Sequence, residues 1–161
     1  MRPLSPVEAA VAVAIASSVL ATALPAFVRN LRASELVEPI DGLGRLAMRA
    51  TALAASHPTE SAYPESAPLT PAQVPAGVRV QDPPGTWDHP SWRLLDFSFT
   101  VPHSFSFGFD SKNAPDVSVF LARAQGDLDG DGSLSHFEIS GETRTGGEPS
   151  IGRLEMYREI E

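Results

Sequence analysis

From Ala9 to Val28 the chain reads AAVAVAIASSVLATALPAFV, twenty residues without a charge. As a helix this run is about 30 Å long, enough to cross a hydrocarbon core. It is rich in alanine rather than leucine, so insertion is expected to be only moderately favourable. Past the run, Leu36, Ile40, Leu43, Ala47 and Ala50 step by four and three, and Leu46 and Leu53 widen the stripe. This spacing predicts helix to about Ala55, with weak points at Pro25, Pro39 and the Gly42–Gly44 pair. Prolines cluster between Pro58 and Pro90, where a linker is expected. Phe97, Phe99 and Val101 then alternate with polar residues, and Phe105, Phe107 and Phe109 do so again around Pro102–His103. That pattern predicts a hairpin with one aromatic face. Asn113–Ala114–Pro115–Asp116 reads as a turn, Val117, Val119 and Leu121 as a third strand, and Phe137 and Ile139 as a short fourth. The tail GRLEMYREIE is expected to close the sheet or pack beside it.

The expected fold is therefore α+β: a long N-terminal hydrophobic helix packed on a C-terminal antiparallel β-sheet. Residues 1–56 form the helical part, 57–91 a proline-rich linker or loop, and 92–161 the β region. Composition changes this picture little. Hydrophobic content of 42% suits a folded chain of 161 residues, and no cysteine is present for disulfides, zinc–thiolate sites or thiol chemistry. Charge is more informative. Residues 1–56 carry five arginines against four acids, whereas the remainder carries seven bases against sixteen acids, for −8 in all. The acidic half would repel phosphates, which argues against a nucleic-acid partner.

One stretch carries specific chemistry. GDLDGDGSLSHFE, Gly126 to Glu138, follows the twelve-residue calcium-loop template from Asp127. Asp127, Asp129 and Asp131 occupy positions 1, 3 and 5, and Gly132 occupies position 6. Ser133 would offer its backbone carbonyl, Ser135 a water-mediated contact, and Glu138 a bidentate carboxylate at position 12. Calcium is thus the expected cofactor, in a structural role. The flanking SVFLARAQ reads as strand rather than helix, which argues against a switching loop pair. The plainer reading is an acidic, glycine-rich turn held by Asx hydrogen bonds. Trp87 and Trp92 could form a carbohydrate or partner surface, or simply pack in the core or linker. The histidines are scattered without metal spacing, and no phosphate-cradling loop, serine elbow or nucleophile–base pair is evident. No enzyme is expected.

The N-terminus admits three readings: a cleaved secretory signal with small residues at Ala21–Thr22–Ala23, a plain membrane anchor, or a helix that continues into an amphipathic one. Ser5–Pro6–Val7–Glu8 matches a capping box, with Ser5 as N-cap, Pro6 first in the helix and Glu8 third. A carboxylate at membrane depth is costly and usually paired. LSPVEAAVAVAIASSVLATALPAF resembles the N-terminal helix of type IV pilins and pseudopilins. That family has a hydrophobic first mature residue, a Glu four positions on and a Pro seventeen after that, and Leu4, Glu8 and Pro25 fall in this register. The order of Trp87, Pro90–Ser91–Trp92, Leu95, Phe97, Pro102, Phe105, Phe107 and Phe109, then a strand, the acidic loop and a terminal EIE, resembles pilin-like proteins of myxobacterial type. Residues 57–86 match least.

The resemblance implies a structural subunit of a type IV pilus or a type II secretion pseudopilus-like filament. It implies a single-pass inner-membrane position with the C-terminal domain outside the cytoplasm, and an extracellular pilus as a further location. Glu8 would pair with the N-terminal amine of a neighbouring subunit, since a buried carboxylate and a buried ammonium each need the other. Pro25 would loosen the helix for packing. Partners would be other pilin-like subunits and a prepilin peptidase. The peptidase of the family takes Gly before the first mature residue, and this chain departs from the pattern with Pro3 before Leu4. The alternative is an exported calcium-dependent binding module whose first 23–26 residues are a cleaved signal.

Overall fold

A computed structural model describes residues 5–157, and for 24, 26 and 28–35 the backbone alone. The chain divides at Leu36 into two compact units. The first is a single helix, α1 (Pro6–Glu35). Alanine and straight-chain residues favour it, Ser5 caps it, and Pro25 lies within it.

The second unit contains α2 (Val37–Ala54), β1 (Ala67–Thr70), the short α3 (Pro90–Leu94), β2 (Ser106–Lys112), β3 (Val117–Gly126), β4 (Ser135–Arg144) and β5 (Ser150–Tyr157). The five strands form one antiparallel sheet in the order β1-β2-β3-β4-β5. Alternation decides which face is buried. Phe107 and Phe109 of β2, Phe120, Ala122 and Ala124 of β3, and Phe137 and Ile139 of β4 point inward. Helix α2 lies on β3 and β4 and also touches β5. Its buried stripe is Pro39, Gly42, Leu43, Leu46, Ala47, Ala50 and Ala54. The stripe expected from spacing is buried at Leu43, Leu46, Ala47 and Ala50, but Ile40 is 43% exposed and Gly42 takes the inner position instead. The α+β layout is therefore as expected, with α2 as the helix on the sheet.

Two anchors hold this arrangement. Glu38, in the first turn of α2, accepts the backbone N–H groups of Ser104 (2.8 Å) and Phe105 (2.9 Å) through Oε1, and Arg79 (3.0 Å) through Oε2. Asp82 Oδ2 accepts the Trp87 indole N–H (2.7 Å) and meets His103 Nε2 (2.8 Å), while His103 Nδ1 donates to the Phe105 carbonyl (2.8 Å). The His103 and Asp82 side chains are almost wholly buried.

Two expectations are corrected, the strand at residues 97–101 and the short fourth strand. Residues 97–101 form no strand: Asp96, at φ +49, ends α3 and redirects the chain. The Phe97 N–H goes back to the Trp92 carbonyl (2.9 Å), and Glu38 takes the N–H groups of Ser104 and Phe105, so no hairpin ladder can form there. Phe97 nevertheless packs edge-on against Phe107 at 5.1 Å. Residues 57–91, expected as a proline-rich linker or loop, supply β1 and the buried Ala62, Tyr63 and Trp87. The fourth strand is long rather than short, pairing with β3 over ten residues, whereas the tail closes the sheet as β5, as expected.

Candidate functional site

Two features carry candidate function, one in each unit. The first is the surface of α1. Residues Pro6–Ala23 are long and apolar enough to cross a membrane, and none of that stretch is buried by the chain itself. Val7, Val11, Val13, Ile15, Val19, Leu20 and Phe27 are all exposed, on several sides of the helix. A helix apolar all round is at home in lipid or inside a larger assembly. Moving each such side chain out of water gains about 1.5–3 kcal/mol. Two hydroxyls of this stretch are satisfied within the helix. Ser18 donates to the Ala14 carbonyl (2.9 Å) and Thr22 to the Val19 carbonyl (3.0 Å), as an apolar surrounding requires. The capping box is formed: the Ser5 N–H donates to Glu8 Oε2 (2.7 Å), and the Glu8 N–H donates to Ser5 Oγ (3.3 Å). Glu8 thus has a local partner in the isolated chain. Pro25 sits inside the continuous helix. Pro3 and Leu4 lie outside the described residues.

The second feature is the acidic loop joining β3 to β4. Gly126 pairs with Ser135 at its base. Between them, Gly130 (φ +79) and Gly132 (φ +91) take left-handed conformations that favour glycine. Carboxylate oxygens of Asp127, Asp129 and Asp131 come within 4.8 Å of one another. Asp127 is buried and accepts the N–H groups of Gly130 (2.8 Å) and Gly132 (3.1 Å). Asp129 accepts the Asp131 N–H (3.1 Å), and Asp131 accepts the Ser133 N–H (2.6 Å). The Ser133 contact holds the Asp131 carboxyl below the usual carboxylate range. The loop is tied to a neighbouring segment, since the Gly77 N–H donates to the Asp127 carbonyl (2.8 Å).

The structure brings three template residues together and separates the others. Ser133 stays beside the loop, while Ser135 is buried as the first residue of β4. Glu138 lies in β4 opposite Arg123 and Glu155, on the face away from Phe137, and is outside the carboxylate group. In a helix-flanked loop, the exiting helix returns position 12 over the ion. A strand instead advances about 3.3 Å per residue and alternates faces. The three aspartates can hold one hard cation, with water or backbone oxygens completing the shell.

Other sequence candidates resolve as core. Trp87 and Trp92 pack edge to face at 5.5 Å, and Trp92 donates to Thr70 Oγ1 (2.9 Å). The Glu38 and Asp82–His103 anchors were not legible in the sequence, because Glu38 lies 41 to 67 positions from its partners and Asp82 lies 21 from His103. An open groove of about 550 Å³ beside α2 is lined by Arg45, Arg49, Arg79, Asp41 and Asp96. Its charges are largely matched: Arg49 meets Asp96 at 2.6 Å, Arg79 meets Glu38, and Arg45 lies over the Phe97 ring at 5.2 Å. No protein-family model, curated protein or solved structure matches the chain.

Proposed function

We propose that the protein is a non-enzymatic structural subunit of a type IV pilus or a type II secretion pseudopilus-like filament. It is held in the inner membrane and assembled through α1, with the second unit outside the cytoplasm. The carrying observation is an α1 surface that is apolar on several sides and left uncovered by its own chain. Lipid covers that surface before assembly, and like helices cover it afterwards. Glu8 exchanges its local partner Ser5 for the amine of a neighbouring subunit and so sets the register. Asp127, Asp129 and Asp131 bind calcium, which stabilises the β3–β4 end of the sheet. The helix-on-sheet layout of the second unit supports this reading.

The test is the intact mass and N-terminal peptide of the protein from native membranes and from sheared surface material. A chain beginning at Leu4 and present in sheared filaments is the expected result. A chain beginning near Leu24 or Phe27 and found soluble refutes the filament reading. That outcome would leave an exported calcium-dependent binding module, a reading favoured by the compactness of residues 37–161 as a unit.

A further inference from the structure

The two edges of the sheet are unequal. The β1 edge is four residues long and contains Pro68, which has no N–H to offer. The β5 edge runs for eight residues without a proline, and among the described residues nothing pairs with its outer side. Such an edge presents a free row of N–H and C=O groups. It is also apolar. Through its pairing with Gly141, Ile139 and Phe137, β5 places Ile151, Leu154 and Met156 on the helix-bearing face. α2 covers them incompletely, leaving Ile151 42% and Met156 41% exposed. The irregularity in the β4–β5 ladder lies between Ile139 and Gly141, opposite Gly152–Arg153, so the regular stretch of β5 is Leu154–Tyr157 and Arg153 adjoins it.

We propose that this edge pairs antiparallel with the β5 edge of a second copy, about a twofold axis through Leu154. Opposed residues in a ladder must share a face, so symmetric registers differ by steps of two. An axis at Arg153 would place Arg153 against Arg153, and an axis at Glu155 would place Glu155 against Glu155. Like charges directly opposite are destabilising, and opposite charges are favourable. Only the axis at Leu154 sets Arg153 of each copy against Glu155 of the other, twice over, with the two Leu154 side chains facing each other. Glu155, which accepts the Tyr157 hydroxyl (2.5 Å) in the single chain, lies on the face where it can receive Arg153. This pairing is independent of the filament reading, since it uses neither α1 nor the acidic loop.

The test is sedimentation equilibrium of the full chain in density-matched detergent micelles. The parent is expected to dimerise. Arg153→Glu and Glu155→Arg should each weaken the dimer about tenfold, because two favourable pairs become two repulsive ones. The double variant carrying both changes should restore parental affinity. Because the chain has no cysteine, Leu154→Cys should form an intermolecular disulfide on mild oxidation, whereas Glu148→Cys should not. A monomeric parent overturns the proposal. So does a dimer indifferent to both single reversals, or a reversal without rescue in the double variant. A dimer held through α1 would show the second of these patterns and no Leu154→Cys cross-link.

Discussion

Gly42 and Gly44 lie two residues apart in α2, and the same substitution at each should act with opposite sign. A Cβ built on Gly42 would stand 2.5 Å from Phe107 Cε1 and 2.6 Å from Cζ, whereas one on Gly44 would meet nothing within 4 Å. Ordinary carbon contacts are about 3.5–4.0 Å, so Gly42→Ala demands a movement of roughly 1 Å. Phe107 cannot yield easily. It is fully buried, stacked on Phe99 at 5.2 Å and met edge-on by Phe97 at 5.1 Å. Overpacking of this kind costs about 1–3 kcal/mol, and the gain in helix propensity returns at most about 1. The net expectation is a loss of roughly 1–2 kcal/mol for Gly42→Ala and a gain of about 0.5–1 kcal/mol for Gly44→Ala. At about 2–4 °C per kcal/mol for a domain of this size, the melting midpoints should separate by roughly 3–12 °C. The assay is thermal unfolding of the full chain in detergent micelles, followed by the near-ultraviolet signal of Trp87 and Trp92, both in the aromatic core. Midpoints that move together, in either direction, would refute the placement of α2 on Phe107.

Four further outcomes are expected. Glu38→Ala should cost about 2–4 kcal/mol, because it strands two backbone N–H groups, whereas Arg79→Ala should cost under about 1; equal losses in urea unfolding would count against the anchor. His103→Leu leaves buried Asp82 with only Trp87 and the Phe105 carbonyl without its donor, a loss of about 3 kcal/mol or more by the same measurement; a neutral result would deny the network. Calcium at a hundredfold excess over its dissociation constant should add about 2.7 kcal/mol and raise the melting midpoint, and Asp129→Asn with Asp131→Asn should abolish the rise; an unresponsive parent would remove calcium from the proposal. Burial, reinforced by Glu142, pushes Tyr63 up to about 12. Between pH 10 and 12 the unfolded chain therefore loses this proton before the folded one, and stability should fall as pH rises through that window. Phenolate absorbance in the Tyr157→Phe variant isolates Tyr63, and titration near 10 with the sheet intact would contradict the burial.

The parts of the fold legible in the sequence are those whose hydrogen bonds are local or whose periodicity is unbroken. The capping box at Ser5–Glu8, the helical run past Pro39 and the inward alternation of Phe105, Phe107 and Phe109 are of this kind. Residues 97–101 show why alternation alone can mislead. Phe97 is buried and Ser98 exposed, as in a strand, yet the partners of the neighbouring N–H groups are Trp92 and Glu38 rather than a second strand. Glu38 is 67 positions from Phe105, and no local pattern announces such a bond. The strand at Ala67–Thr70 was hidden for the opposite reason, since Pro68 and Pro71 mark turns in sequence but are tolerated at a sheet edge.

The acidic loop shows how a spacing rule depends on the elements that flank it. Its first half needs only a turn: three aspartates at alternate positions and a left-handed glycine fold the carboxylates inward whatever follows. Its last ligand needs a helix to return it, and here β4 carries Glu138 toward Glu155 instead. A cation bound by Asp127, Asp129 and Asp131 would consequently be more open to water than in a helix-flanked site, and held by fewer charges. Affinity in EF-hand loops follows ligand charge and site rigidity, which points to the weak range of about 10⁻⁴–10⁻³ M found in extracellular modules. The tether from Gly77 to the Asp127 carbonyl would give such an ion a structural effect, because closing the loop would also fix the segment bonded to it.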